Sequence, residues 1–142
     1  MNVREQMSRP VISVSPSTSI AAAMKLIRER NIRRLPVIAD GALVGIVSER
    51  DLLRAMPSPA TILSVWEVPE LIERMTVHDV MARPVVVVHP DTPIQEAAQL
   101  MVDRKMGGLP VVDDGQVVGM ITETDIFRVF VTLCAPVAGA AG

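Results

Sequence analysis

The chain has 142 residues, a net charge of −2 and 49% hydrophobic residues. That length forms one ordinary domain or two small ones, and the composition is that of a globular protein rather than a disordered one. Because aromatic residues make up only 2%, stacking platforms for single-stranded nucleic acid are scarce, and the net charge disfavours duplex DNA as a partner. The N-terminus has no signal-peptide pattern, and no apolar stretch reaches the roughly 18 residues that a membrane helix requires.

The single cysteine, Cys134, bears on the cellular compartment and on core packing. One thiol cannot form an internal disulfide, which is typical of proteins in a reducing compartment, so a cytoplasmic location is predicted. The apolar neighbours of Cys134 predict that it is a small buried hydrophobe rather than a nucleophile.

An internal repeat organises the sequence. A shift of 74 residues aligns positions 3–54 with 77–128 without a gap, and 22 of the 52 aligned pairs are identical. Each copy is expected to be a module that cannot bury its apolar face alone, so we predict two copies packed as a pseudo-twofold pair. The predicted boundaries are domain 1 at 1–55, a linker with a short helix at 56–75, domain 2 at 76–134 and a flexible tail at 135–142.

Each copy is predicted to begin with a strand followed by a helix. The β-branched stretches at 11–14 and 85–88 follow a proline and predict strands. In the second copy the next helix is expected to have Thr92 as N-cap, Pro93 at the first helical position and Gln95 at the third. The first copy has apolar residues at the same helical spacing, so an equivalent helix is predicted there.

A hairpin and a second helix complete each copy. The dipeptides Asp40-Gly41 and Asp114-Gly115 separate two β-rich stretches, which predicts tight hairpins because glycine tolerates positive φ. Ser48 and Thr122 are expected to begin the second helices. The sequence therefore predicts an α/β (α+β) protein made of two β-α-β-β-α units.

Several short motifs recur in a fixed order in both copies. In the second copy they are HDVM at 78–81, LPVV at 109–112, an Asp-Gly turn, VVG at 117–119 and TETD at 122–125. Together these motifs resemble the cystathionine β-synthase (CBS) domain, and two such domains in tandem are similar to a Bateman module. The resemblance implies a regulatory fold rather than an enzyme. Related domains commonly bind AMP, ADP, ATP or S-adenosylmethionine and report ligand occupancy to another protein.

The family's ribose-binding motif matches the chain twice. GIVSERD in the first copy and GMITETD in the second both contain glycine, two apolar residues, serine or threonine, two variable residues and aspartate. The resemblance implies that Asp51 and Asp125 accept hydrogen bonds from ribose hydroxyls, while Ser48 and Thr122 donate to a ribose or phosphate oxygen. The same residues also match an S/T-x-x-D helix-capping pattern, which is a purely structural alternative.

Two arginines distinguish the copies. Arg33 and Arg34 directly precede LPV in the first copy, where related domains often carry basic residues that hold phosphates, and the planar guanidinium suits that role. The alternative is that they end the preceding helix and offset its dipole. Gly107 and Gly108 occupy the matching positions of the second copy, where they can cap the preceding helix. In either case glycine has no side chain to hold a phosphate, so the second copy lacks the clamp.

The charge distribution separates the copies in the same way. Residues 3–54 contain nine Lys/Arg and five Asp/Glu, a net of +4, whereas residues 77–128 contain four and eight, a net of −4. A polyphosphate is therefore expected at the first copy and disfavoured at the second.

Three further residues are candidate ligand contacts. Ile46 and Met120 precede the Ser/Thr of the motif by two positions, and they either pack on adenine or belong to the core. Arg50 faces either the phosphates or water. The sequence has no Cys/His cluster for zinc, no nucleophile–base set and no P-loop or dinucleotide motif, so no metal, catalytic residue or required cofactor is predicted.

Two functions are compatible with these patterns. The first is a regulatory module that binds an adenine nucleotide or S-adenosylmethionine, forms a homodimer and reports occupancy to a separate partner protein. The second is a constitutive dimerisation or interaction module with vestigial ligand clefts. An enzyme, a membrane protein and a nucleic-acid-binding protein are all disfavoured.

Overall fold

The computed structural model describes residues 1–56 and 74–136. The chain divides into two compact units, Ile12–Val85 and Met1–Val11 with Val86–Gly142. We call them the first-copy unit and the second-copy unit, because each contains the hairpin of that copy. The short helix predicted within the linker falls almost entirely outside the described ranges, as does most of the predicted tail.

Both copies contribute the same elements in the same order: a short helix, a longer helix, a two-stranded hairpin and a final helix. In chain order the described elements are α1 (Val3–Gln6), α2 (Ile20–Arg30), β1 (Arg34–Ala39), β2 (Ala42–Ser48), α3 (Glu49–Ala55), α4 (Val77–Val80), α5 (Ile94–Arg104), β3 (Gly108–Asp113), β4 (Gln116–Thr122) and α6 (Glu123–Cys134). Helices combined with small antiparallel sheets confirm the predicted α+β class. The pseudo-twofold packing of the two units stays a prediction.

The two hairpins form as the sequence predicts. Asp40 and Asp114 both have φ of 52°, and the glycines after them have φ of 80° and 79°. Two consecutive residues with positive φ form the turn whose twist matches that of paired strands, and aspartate followed by glycine adopts it at low cost. Both sheets are antiparallel, and each has one register shift, after Val37 in the first and after Val111 in the second.

Each unit is completed by a segment that belongs, in sequence, to the other copy. In the second-copy unit, Val3 N–H donates to Thr92 O at 2.9 Å and Ser8 N–H donates to Met120 O at 2.8 Å. In the first-copy unit, Ala82 N–H donates to Ile46 O at 2.8 Å. The compact units therefore cross the boundaries of the sequence repeats, since the opening residues of each copy are exchanged between them.

The strands predicted over 11–14 and 85–88 are wrong. Each stretch makes only an isolated parallel bridge, from Val14 to Val37 in one unit and from Val88 to Val111 in the other. A proline lies before and after each stretch, and proline cannot donate a backbone hydrogen bond, so the ladder cannot extend.

The predicted capping role of Thr92 is also wrong. Its hydroxyl accepts a hydrogen bond from His89 N–H at 3.0 Å, so it stabilises the preceding turn. Helix α5 begins one residue later than predicted, with Pro93 as its N-cap. In the first copy, Ser19 provides a true cap for α2 by accepting from Ala22 N–H at 3.0 Å.

Each unit has its own apolar core beneath the hairpin. Helix α2 contributes Ile20 and Ile27 to the first core, where they pack with Val47 of β2. In the second core, Ala97 of α5 packs with Ile121 of β4. Segment exchange completes both cores, because the first also contains Val77 of α4 and the second contains Val3 of α1.

Helix α6 presents an apolar surface to solvent. Its exposed apolar side chains, with their exposed fractions, are Phe127 (64%), Phe130 (64%), Val131 (66%) and Leu133 (72%). Cys134 is exposed at the end of the same helix, so the prediction that it is a buried hydrophobe is wrong. Among the described residues, no helix is long and apolar enough to cross a membrane.

Two methionines fix the exchanged segments against glycines of the hairpins. A Cβ atom added to Gly119 would lie 2.7 Å from Met7 Sδ and 3.1 Å from the Ser8 carbonyl oxygen, and one added to Gly45 would lie 2.6 Å from Met81 Sδ. These distances are shorter than ordinary van der Waals contact. The glycine that opens each ribose-type motif therefore allows the exchanged segment to approach the hairpin.

We predict that Gly119→Ala lowers the free energy of unfolding by about 1–3 kcal/mol, because the methyl group overpacks the contact with Met7. Met7→Ala removes most of that obstruction, so the double variant should lose less than the sum of the single losses. Urea unfolding of the three variants measures this coupling. Strictly additive losses would contradict the packing explanation.

Candidate functional site

The first-copy motif lies where strand β2 passes into helix α3. Ser48 is the N-cap, and Asp51 N–H donates to Ser48 Oγ at 3.1 Å. Ser48 N–H in turn donates to Asp51 Oδ2 at 2.9 Å. The structural alternative is therefore confirmed, since these residues do cap a helix. The cap uses one carboxylate oxygen of Asp51, and Oδ1 has no hydrogen-bond partner among the described residues.

The matching carboxylate of the second copy is more heavily bonded. Both the backbone N–H and the hydroxyl of Thr122 donate to Asp125 Oδ2, at 2.9 and 3.0 Å. Ser8 Oγ donates to Asp125 Oδ1 at 3.4 Å, and Arg128 Nη1 lies 3.7 Å from the same oxygen. Asp125 is only 4% exposed, whereas Asp51 is half-buried. The two aspartates thus occupy equivalent positions but differ in burial and in the number of their hydrogen-bond partners.

Ser8 and Arg128 are the residues that sequence reasoning missed. Ser8 lies 117 positions from Asp125 along the chain, and only the exchanged segment brings the two together. A signal did exist, because the repeat aligns Ser8 with Ala82, which has no hydroxyl. Without knowledge of the exchange, that difference could not be assigned to a site.

Arg33 and Arg34 lie beside the start of helix α3. Arg34 pairs with Ser48 across the β1–β2 sheet, and the Arg33 carbonyl accepts from Glu49 N–H at 2.8 Å. Helix α2 ends at Arg30, so the alternative that the two arginines lie in its last turn is wrong. The structure therefore brings Arg33, Arg34, Ser48 and Asp51 together at one end of the hairpin.

The glycine pair occupies the equivalent place in the second copy. Gly108 pairs with Thr122, and the Gly107 carbonyl accepts from Glu123 N–H at 3.0 Å. Lys105, with φ of 54°, caps helix α5, so the alternative that the glycines cap this helix is wrong. The backbone of the site is thus preserved while both cationic side chains are missing.

Ile46 and Met120 lie on the face of each hairpin that is opposite to its core. Val47 and Ile121 belong to the two cores. Because successive strand residues point to opposite faces, Ile46 with Ser48, and Met120 with Thr122, lie on the other side of their sheets. Ile46 is buried and Met120 half-buried.

Arg50 is exposed on α3. At the N-terminus of this helix, two of the backbone N–H groups that could bind an anion already have acceptors within the protein. Glu49 N–H donates to Arg33 O, and Asp51 N–H donates to Ser48 Oγ. An anion there would depend mainly on side-chain donors. Within the described ranges, no group of three or more His, Cys, Asp or Glu residues is arranged to hold a metal ion.

Comparison with known proteins agrees with this architecture. The family model of the CBS domain matches residues 2–58 and 77–132, and the chain belongs to that family. A CBS domain-containing protein of Dictyostelium discoideum is 33% identical over 137 residues, which cover 95% of this chain and 94% of the relative. The duplication corresponds to a tandem CBS, or Bateman, module, and such pairs are generally regulatory rather than catalytic.

Two solved structures are similar over almost the whole chain. One is a CBS domain pair in complex with 5′-methylthioadenosine and S-adenosyl-L-methionine, with 31% identity, 94% of this chain and 98% of that chain covered, and a TM-score of 0.78. The other is CBSX2 in complex with AMP, with 33% identity, 94% and 98% covered, and a TM-score of 0.76. Both of these neighbours bind adenosine-containing ligands.

We predict that Asp125→Ala destabilises the protein more than Asp51→Ala does. Loss of Asp125 leaves the donors of Thr122 and Ser8 unpaired, which should cost about 2–3 kcal/mol. Loss of Asp51 removes one side of a helix cap, which should cost about 1 kcal/mol. Urea unfolding measures both values, and equal losses would show that the extra hydrogen bonds of Asp125 contribute nothing.

Proposed function

We propose that the protein is a regulatory module that binds an adenine nucleotide at the first-copy site and communicates its occupancy to a separate protein. Asp51 accepts hydrogen bonds from the ribose hydroxyls. The Ser48 backbone N–H holds the Asp51 carboxylate in place, and the Ser48 hydroxyl donates to the ligand. Arg33 and Arg34 bind the phosphates. Ile46 packs against the adenine, and Arg50 adds positive charge at the rim.

The observation that carries this proposal is the open oxygen of Asp51. An ionised carboxylate has about four lone-pair positions, and the helix cap occupies one of them on Asp51. Capping and ligand binding are therefore compatible at one residue. A carboxylate already held in place by its own helix is preorganised, so less ordering is needed when the ligand arrives.

The charge of the unit supports a phosphorylated ligand. Among its described residues the first-copy unit has nine Lys/Arg and five Asp/Glu, a net of +4, and the second-copy unit has five and eight, a net of −3. Arginine forms planar, charge-assisted pairs with phosphate oxygens, and two adjacent arginines lie at this site. The AMP-bound neighbour is consistent with such a ligand.

We predict saturable heat in isothermal titration of the full chain with at least one of AMP, ADP, ATP and S-adenosylmethionine at up to millimolar concentration. Asp51→Ala should weaken every ligand about tenfold or more, because the ribose contact is lost. Arg33→Ala should weaken the phosphorylated ligands but leave adenosine unchanged. Absence of heat with all four ligands would refute the proposed function.

Arg30→Ala provides the matched control for Arg33→Ala. Arg30 is an exposed arginine three residues away, at the end of α2. Its removal changes the net charge by the same amount but removes no proposed contact. If both variants weaken AMP equally, Arg33 acts through long-range attraction and not as a clamp.

We also propose that the protein pairs with a second copy of itself through helix α6. The helix exposes four apolar side chains, which we call the α6 patch, and clustered exposed apolar side chains commonly mark an interaction surface. The opposite net charges of the two units favour an arrangement in which the first-copy unit of one chain lies beside the second-copy unit of another. The α6 patch is also what a constitutive dimerisation module would need, so that alternative differs only in lacking a ligand.

We propose the cytoplasm as the compartment, since the single thiol of the sequence is exposed.

We predict that Phe130→Glu converts the dimer into a monomer, because it places a charge in the apolar contact. Val102→Glu is the control, since Val102 is a lone exposed valine (70%) on α5, outside the patch. Size-exclusion chromatography with light scattering measures the mass of each variant. A wild-type protein that is monomeric at high micromolar concentration would contradict the dimer.

A further inference from the structure

The second-copy site is closed by the protein's own side chains. We infer that Ser8 is the specificity-determining residue that prevents Asp125 from accepting a ribose, so that each chain takes one nucleotide and not two. This inference rests on the proposed function of the first-copy site. It concerns a different residue and a different site, so the two can fail separately.

The Asp125 carboxylate already has several hydrogen-bond partners within the protein. Thr122 donates twice to Oδ2, the Ser8 hydroxyl donates to Oδ1 at 3.4 Å, and the Arg128 guanidinium lies 3.7 Å from Oδ1. A carboxylate has about four acceptor positions, so a ribose diol would have to displace an existing partner. Exchanging one hydroxyl for another gains almost no net free energy.

On the Oδ1 side of the two aspartates, the exchanged segments present the same backbone but differ by one hydroxyl. Ser8 is fixed by hydrogen bonds of 2.8 and 3.1 Å to Met120, and Ala82 is fixed by bonds of 2.8 and 3.1 Å to Ile46. Ala82 is the exact counterpart of Ser8 in the repeat. Alanine cannot donate to Asp51, and so that carboxylate keeps Oδ1 open.

The second-copy site also lacks the exposure and the cations that would favour a nucleotide. Asp125 is 4% exposed, and Gly107 and Gly108 supply no cation for a phosphate. The contact between Ser8 and Asp125 also adds a side-chain bond between the exchanged segment and helix α6. The second copy therefore uses its aspartate for structure, while the first copy keeps its aspartate for ligand.

The test is isothermal titration of the full chain with AMP and with adenosine, with the number of sites per chain as the readout. Wild type should bind one molecule of either ligand per chain, and Ser8→Ala should bind a second molecule of adenosine, since Oδ1 of Asp125 becomes available and adenosine needs no phosphate clamp. In an Asp51→Ala background the first site should be weakened at least about tenfold, and adding Ser8→Ala should restore one adenosine site. Ala82→Ser is the converse variant and should weaken the first site about tenfold. Thermal unfolding checks that each variant is folded.

Each outcome decides the matter. Two sites in wild type, or no gained site in Ser8→Ala, would overturn the role of Ser8 while leaving the nucleotide-binding function intact. No binding in wild type would overturn the function of the first site. If wild type does not bind, the role of Ser8 can still be tested. A site that appears in Ser8→Ala and disappears in the double variant Ser8→Ala/Asp125→Ala would support that role. Absence of a site in Ser8→Ala would overturn the role of Ser8 as well.

Discussion

The rest of the structure depends on two pairs of backbone hydrogen bonds, one between Ser8 and Met120 and the other between Ala82 and Ile46. Each pair joins the segment at the start of one copy to the hairpin of the other. A two-stranded hairpin with one helix on each side has too little apolar surface to be stable alone, and the exchanged segment supplies the missing edge. The methionine next to each bridge then packs on the hairpin glycine, where any side chain would prevent this approach.

This arrangement also explains why the two aspartates differ. In both copies a Ser or Thr at the strand end and an Asp three residues later hold the start of a helix. The position opposite the aspartate comes from the exchanged segment, and it is alanine in one case and serine in the other. The Ser8 hydroxyl therefore engages Oδ1 of Asp125, whereas Oδ1 of Asp51 faces no such donor. Capping and ligand binding are compatible at Asp51, since the cap needs only one side of the carboxylate.

Much of the fold could be predicted from local sequence. The Asp-Gly turns, the helix starts at Ser48 and Thr122 and the α+β class depend on short-range chemistry, and the repeat provided two independent examples of each. The strands at 11–14 and 85–88 were wrong because β-branched residues favour extended backbone but do not supply a pairing partner for every residue, and each stretch makes only one isolated bridge. The cap at Thr92 was wrong because its hydroxyl had a nearer donor in His89.

The site was predictable only where its residues come together through local structure. Arg33, Arg34, Ser48 and Asp51 come together through the register of one hairpin, which follows from its turn. The contact between Ser8 and Asp125 depends on pairing across 117 residues, and no local pattern specifies it. The exposure of Cys134 likewise depends on which face of α6 meets the core, and apolar neighbours in the sequence do not reveal that.

Segment exchange also orders events during synthesis. The residues of the first-copy unit, Ile12–Val85, are contiguous, so this unit can assemble as soon as its last segment leaves the ribosome. The second-copy unit cannot, since α1 must wait for β4, which is made more than a hundred residues later. During that interval the apolar side of α1 has no native partner, and closing so long a loop adds an entropic cost that grows only slowly with length. The nascent chain therefore completes first the unit that carries the proposed nucleotide site, while the other unit still lacks its last strand and helix.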